Sequence, residues 1–210
     1  MRITPQLFPD IITAVILTID AHADELTELD QIIGDGDHVI NLQRGLQALQ
    51  TLATEISSLD WSTAWQKIAM SLMSSVGGAS GSLYATLFLS LAKNAGNQSP
   101  DTTEFAELFK QAIDAVKQRG KSDLGDKTML DVLIPVAKTL SDNNQHHSFI
   151  DLLNQINLTA TEGAEATRNM QASKGRSSFL GERSIGHIDA GAKSAQLMIT
   201  AITSVLATNA

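Results

Sequence analysis

Every second connection in this chain is rich in glycine, while the connections between them are plain. Eight stretches carry the apolar spacing of helices, approximately over residues 6–26, 39–54, 61–75, 80–94, 102–119, 127–141, 148–171 and 190–207. The segments after the first, third, fifth and seventh, residues 27–38, 74–82, 119–128 and 172–191, hold eleven of the fourteen glycines. Short links between amphipathic helices favour antiparallel neighbours. In an up-and-down order, alternate links fall at the same end. The pattern predicts an all-α fold, a bundle or closed ring (barrel) of about eight antiparallel amphipathic helices, with four unusual loops gathered at one rim.

Composition narrows this further. Hydrophobic residues make up 43% of the chain and aromatics 4%, so the core must be largely aliphatic. No stretch shows sustained β-branched alternation, which also favours helix. A length of 210 residues suits one core, hence one domain over 1–210. A net charge of −8 argues against a general nucleic-acid or anionic-membrane surface. The absence of cysteine excludes disulfides and thiolate metal sites. No apolar run approaches a membrane span. The stretch "IITAVILTIDAHA" is preceded by Pro9 and Asp10 and interrupted by Asp20, so it reads as an amphipathic first helix of a cytoplasmic protein rather than a signal peptide. His146 and His147, in "SDNNQHHS", read as solvated turn residues, because no third ligand is near in sequence.

The four loops carry the chemistry. In "ELDQIIGDGDH" three carboxylates, Asp30, Asp35 and Asp37, fall within eight positions. Twelve-residue calcium loops need a closing Glu, and counting from Asp30 or Asp35 reaches Asn41 or Leu46 instead. Such a set suits Mg²⁺, which takes a few carboxylates with phosphates and waters. A solvated acidic turn with Asp37 as a helix cap is the competing reading. "SSVGGASGS" exposes backbone N–H groups at a helix start, which is an anion site; tight helix packing through small residues is its alternative. The other two loops concentrate cations: Lys117, Arg119, Lys121 and Lys127 in one window, Arg168, Lys174, Arg176 and Arg183 in the other, eight of fifteen basic residues. Carboxylate-bound metal, a helix N-terminus and arginine are the parts that hold a polyphosphate.

"GDGDH" with Asn41, "SSVGGASG", "RGKSDLGDKTM" and "KGRSSFLGERSIGHIDAG", in this order, resemble the nucleotide-binding L-subunit family of bacterial dihydroxyacetone kinases. The resemblance implies a ring of eight antiparallel helices with nucleotide at one rim, and Mg²⁺ with ADP or ATP as cofactors. Asp30, Asp35 and Asp37 would hold magnesium. His38, Val39, Ile40 and Asn41 would border the nucleotide, and Gly78, Ala79 and Ser80 would cradle phosphates. Gly120 and Met129 would flank adenine and ribose, Arg176 would reach phosphate as the catalytic cation, and Asp189, Ala190 and Gly191 would close the site. The family usually has glycine where Val39 stands and proline where Ala190 stands. A β-branched residue adopts positive φ only at a cost, so Val39 is expected to narrow the approach to a phosphate.

A free-standing L subunit resembles the phosphoenolpyruvate-driven type. Bound ADP would be rephosphorylated in place by a phosphohistidine carrier (M subunit), and the phosphoryl group passed to dihydroxyacetone on a K subunit. A paralogue acting on another triose-like substrate, or a nucleotide- or cation-sensing subunit, is the alternative.

Overall fold

A computed structural model describes residues 4–96, 99–142 and 148–210; His146 and His147 lie outside the described residues. Among the described residues there is no strand. The α-helices are α1 (Phe8–Ala21), α2 (Ala23–Ile33), α3 (His38–Ser57), α4 (Trp61–Ser75), α5 (Gly78–Asn94), α6 (Thr102–Gly120), α7 (Leu130–Ser141), α8 (Phe149–Ala166) and α9 (Ala190–Thr208). Side-chain caps start several of them. Asp60 accepts from Thr63 N at α4 (3.0 Å), Asp101 and Glu104 form a reciprocal capping box at α6, and Ser148 accepts from Asp151 N at α8 (3.1 Å).

Two helices differ from their sequence expectation. The first stretch, expected over 6–26, is two helices that break at His22, whose φ of −112° and ψ of 16° leave the helical region. α2 then continues to Ile33 because Leu26, Asp30 and Ile33, at helical spacing, are all buried. Asp30 therefore sits in the last turn of a helix and not in a loop. The seventh stretch stops at Ala166 and passes into a 3₁₀ turn, Thr167–Asn169.

Helix contacts close on themselves. From α3 to α9 each helix packs on the next, and α1 packs on both α3 and α9. α2 lies at the rim, touching α3, α9 and the 3₁₀ segment Arg176–Ser184. Ile19, Leu26 and Ile56 are wholly buried, each contributing about 1.5–3 kcal/mol of transfer free energy. An aromatic chain, Phe8–Trp61–Trp65–Phe105–Phe109, links centroids 4.5–6.3 Å apart. Phe8, Trp61 and Phe105 belong to the first turns of α1, α4 and α6, helices that start at the end opposite the glycine loops. One end of the fold is thus packed with rings and the other is left to glycine and charge.

The α7–α8 contact shows how closely backbones approach. Pro135 lacks an N–H, so the carbonyl of Asp131 loses its helical donor. A Cβ on Gly163 of α8 would lie 2.5 Å from that same carbonyl oxygen. Only a hydrogen fits there.

Candidate functional site

The four glycine loops meet at an open cleft of about 420 Å³ at the rim. From the first come Asp30, Gly34, Asp35 and Asp37, with His38 and Asn41 of α3; from the second, Gly77, Gly78, Ala79 and Ser80. Lys127, Thr128 and Met129 come from the third, and Lys174, Gly175, Arg176, Ser177, Asp189, Ala190 and Gly191 from the fourth.

Asp30, Asp35 and Asp37 bring carboxylate oxygens within 4.8 Å of one another. Asp30 is buried and held in place by the His38 N–H, 3.1 Å from its Oδ2. Asp37 stands at the N-cap position of α3, yet its side chain makes no capping hydrogen bond. Its carboxylate is therefore not consumed by the helix. Three oxygens converging from a helix end and a turn are what a hard divalent cation asks of a protein. Arg176 closes one side, its Nε 2.7 Å from Asp35 Oδ2.

α5 opens on the same cleft. Gly77 is its N-cap and no side chain caps it, so the first-turn N–H groups are left for a ligand. Gly78 begins the helix at φ +66°, a conformation that a Cβ would strain. Such a helix start can seat an anion, and it opens on the same cavity as the carboxylates.

A buried polar frame sits behind the cleft. His38 Nε2 lies 2.9 Å from Ser194 Oγ, and that hydroxyl donates to Gly191 O (3.0 Å). Burial holds the His38 pKa below its usual range, outweighing the pull of Asp30, Asp37 and Asp35. Asp189 caps α9, accepting from Ala192 N (2.8 Å), and burial pushes its carboxyl up to about 6. Lys127 is 0% exposed and donates to the carbonyls of Thr167 and His187, tying the third loop to the fourth. Asp131 of α7 folds the third loop by accepting from Gly125 N (2.6 Å) and Thr128 N (2.7 Å).

Not every expected residue reaches the cleft. Val39 lies in the first turn of α3 with a negative φ, and its side chain packs with Val15, Ile19, Leu26, Leu46, Leu197 and Ala201. The feared positive φ does not arise. Ile40 is 64% exposed and does not line the cavity. Gly120 ends α6 behind Leu83, which is itself a lining residue. Of the eight clustered cations, Lys127, Lys174 and Arg176 border the cleft, whereas Lys117 and Arg168 pair outside it with Asp123 and Glu165. Sequence reasoning passed over Asp131, Ser194 and Arg44, which carry no motif of their own. Arg44 looks like any arginine on a helix face.

Fold and rim together define a helical-ring protein suited to gathering a divalent cation and phosphate oxygens at one mouth. Residues 32–204 match the DAK2 domain, and the chain belongs to that family. It is 40% identical over 177 residues to the ADP-binding subunit DhaL of the PEP-dependent dihydroxyacetone kinase 1 of Listeria innocua, covering 84% of each chain. It is also 40% identical to the corresponding PEP-dependent subunit of Escherichia coli, over 84% of this chain and 85% of that one. The L-erythrulose kinase of Pectobacterium atrosepticum is 33% identical, but the match spans only 32% of that protein. Among solved structures, the dihydroxyacetone kinase from C. freundii in complex with AMP-PNP and Mg²⁺ superposes with a TM-score of 0.73 at 22% identity. That match covers 97% of this chain and 34% of the longer one, a likeness of fold.

Proposed function

We propose that this chain is the nucleotide-holding subunit of a phosphoenolpyruvate-dependent dihydroxyacetone kinase. Asp30, Asp35 and Asp37 hold Mg²⁺, and the first turn of α5, Gly78 to Ser80, takes phosphate oxygens. His38 and Asn41 border the nucleotide, Met129 flanks adenine and ribose with Gly120 backing that wall from behind Leu83, and Asp189 to Gly191 close the site. Arg176 leaves Asp35 to meet the transferring phosphoryl group. Magnesium held by these carboxylates would supply positive charge to neutralise phosphate oxygens. The protein's own share is to orient donor oxygens and supply fixed positive ends, which is most of what phosphoryl transfer needs.

The observation that carries this reading is the carboxylate triad sharing one cleft with the uncapped N-terminus of α5. The relatives named as ADP-binding subunits support it. The phosphoryl acceptor then sits on a separate K subunit, and a phosphohistidine carrier recharges ADP without releasing it. On this reading the chain works in the cytoplasm.

Reconstitution tests it. With ATP, Mg²⁺ and dihydroxyacetone alone, the purified chain should form no dihydroxyacetone phosphate. Adding a dihydroxyacetone-binding K subunit should give one turnover per bound ATP, and sustained turnover should require the carrier and phosphoenolpyruvate. Repeated turnover with K subunit and free ATP alone would place the chain in the ATP-exchanging class instead.

A further inference from the structure

Arg44 stands outside the cleft, on the exposed face of α3, yet its guanidinium is spent on neutral acceptors at the cleft's edge. Its Nη2 donates to Asn41 Oδ1 (2.6 Å) and its Nε to Ser75 O (2.5 Å). Among the described residues no carboxylate pairs with it. A guanidinium only donates, so the carboxamide facing it must present oxygen. The orientation of Asn41 is thereby set, and its amino group is turned away from Arg44.

That amino group matters because Asn41 is only 7% exposed and lines the cleft, and its Nδ2 has no partner among the described residues. Nδ2 is not sealed off inside the protein, so this unpaired donor at the cleft wall is open to an acceptor from a ligand. The contact is seated against the N-cap of α5: a Cβ on Gly77 would fall 2.6 Å from Asn41 Oδ1 and 2.9 Å from Arg44 Nη2. Nδ2 and the first-turn amides of α5 thus ask for the same thing, an anionic oxygen. The charged donor on Oδ1 also polarises the amide and strengthens its N–H bonds as donors.

We propose that Arg44 is a positioning residue for phosphate binding. It turns the Asn41 amino group to the anion and, through Ser75, fixes α3 against the segment that leads into α5. The inference rests on reading the cleft as a nucleotide site.

Calorimetric titration of Mg·ADP into the full chain tests it, with ligand-free melting as control. Arg44→Ala should melt as the unmodified protein does, since an exposed side chain is removed, and bind Mg·ADP about tenfold more weakly. In an Asn41→Ala background the same change should cost nothing further. Additive losses would mean that Arg44 attracts phosphate by its own charge, and would overturn the proposal. Asn41→Asp keeps the Arg44 contact but exchanges the donor for a carboxylate. It should fold and bind more weakly than Asn41→Ala, and tighter binding would equally overturn the proposal. Failure of the unmodified chain to bind Mg·ADP removes the nucleotide reading and this inference together. Normal binding with an unaffected Arg44→Ala removes this inference alone.

Discussion

Lys127 and Asp189 sit in the same poorly solvated corner, and burial pushes the pKa of each toward its neutral form, the lysine's down and the aspartate's up. A carboxyl raised from 3.8 to about 6 binds its proton more tightly folded than unfolded. Its stabilising contribution is complete below about pH 4 and is lost as pH rises through 6, by at most about 3 kcal/mol. Solvent reaching this half-buried residue reduces that figure. Asp189→Asn keeps an oxygen to cap α9, so urea unfolding between pH 4 and 7 should show the variant gaining on the unmodified protein as pH rises. Parallel profiles would contradict this. Neither the burial of Lys127 nor the raised Asp189 was legible in sequence, because a lysine in a loop of cations reads as solvated. The three aspartates were legible, since carboxylates that dense are costly without a cation to gather around. Whether Asp37 would be spent as a cap needed the structure.

At the scale of elements, periodicity located the helices and misjudged their ends. It ran α1 and α2 together because apolar positions continue in phase across His22, and only the local backbone reveals the break. It overran α8 because Thr167–Asn169 keeps turning in 3₁₀ form. Close backbone approach is likewise invisible in a pattern of apolar and polar residues. Gly163 looks like a weak point of α8, yet it is where the backbone of α8 comes directly against that of α7. A methyl there would sit 2.5 Å from Asp131 O and 3.1 Å from Val132 Cα, both backbone atoms that cannot swing aside. Despite the better helix propensity of alanine, Gly163→Ala should destabilise by roughly 1–3 kcal/mol, read as a lower urea midpoint at unchanged slope. An equal or raised midpoint would show that the helices separate cheaply. Because Asp131 also folds the loop before Met129, nucleotide affinity should fall in the same variant.

Over the whole molecule, the gathering of four loops at one mouth follows from helix parity, which is why it could be read from glycine positions before any coordinates. What parity cannot say is which charges meet there. Arg176 and Asp35, 141 positions apart, are paired across the mouth at 2.7 Å. Arginine therefore serves the acidic triad as an internal counterion, and on the proposed reading of the triad as a magnesium site its loading would be an ion exchange, a metal taking the place of a guanidinium at Asp35. The two cations compete for Asp35 while both favour phosphate, so removing one should act with opposite sign on metal and on nucleotide. Arg176→Ala should bind Mg²⁺ alone a few-fold more tightly, the modest gain that an exposed pair allows, yet hold Mg·ADP more weakly. Calorimetry on both titrations decides it, and losses of the same sign would mean that the arginine never competed. Since coupling of two equilibria is reciprocal, phosphate that draws the guanidinium away from Asp35 opens the carboxylate to the metal by the same factor. In the language of ion exchangers, the proposed nucleotide would be the eluent that regenerates its own magnesium site.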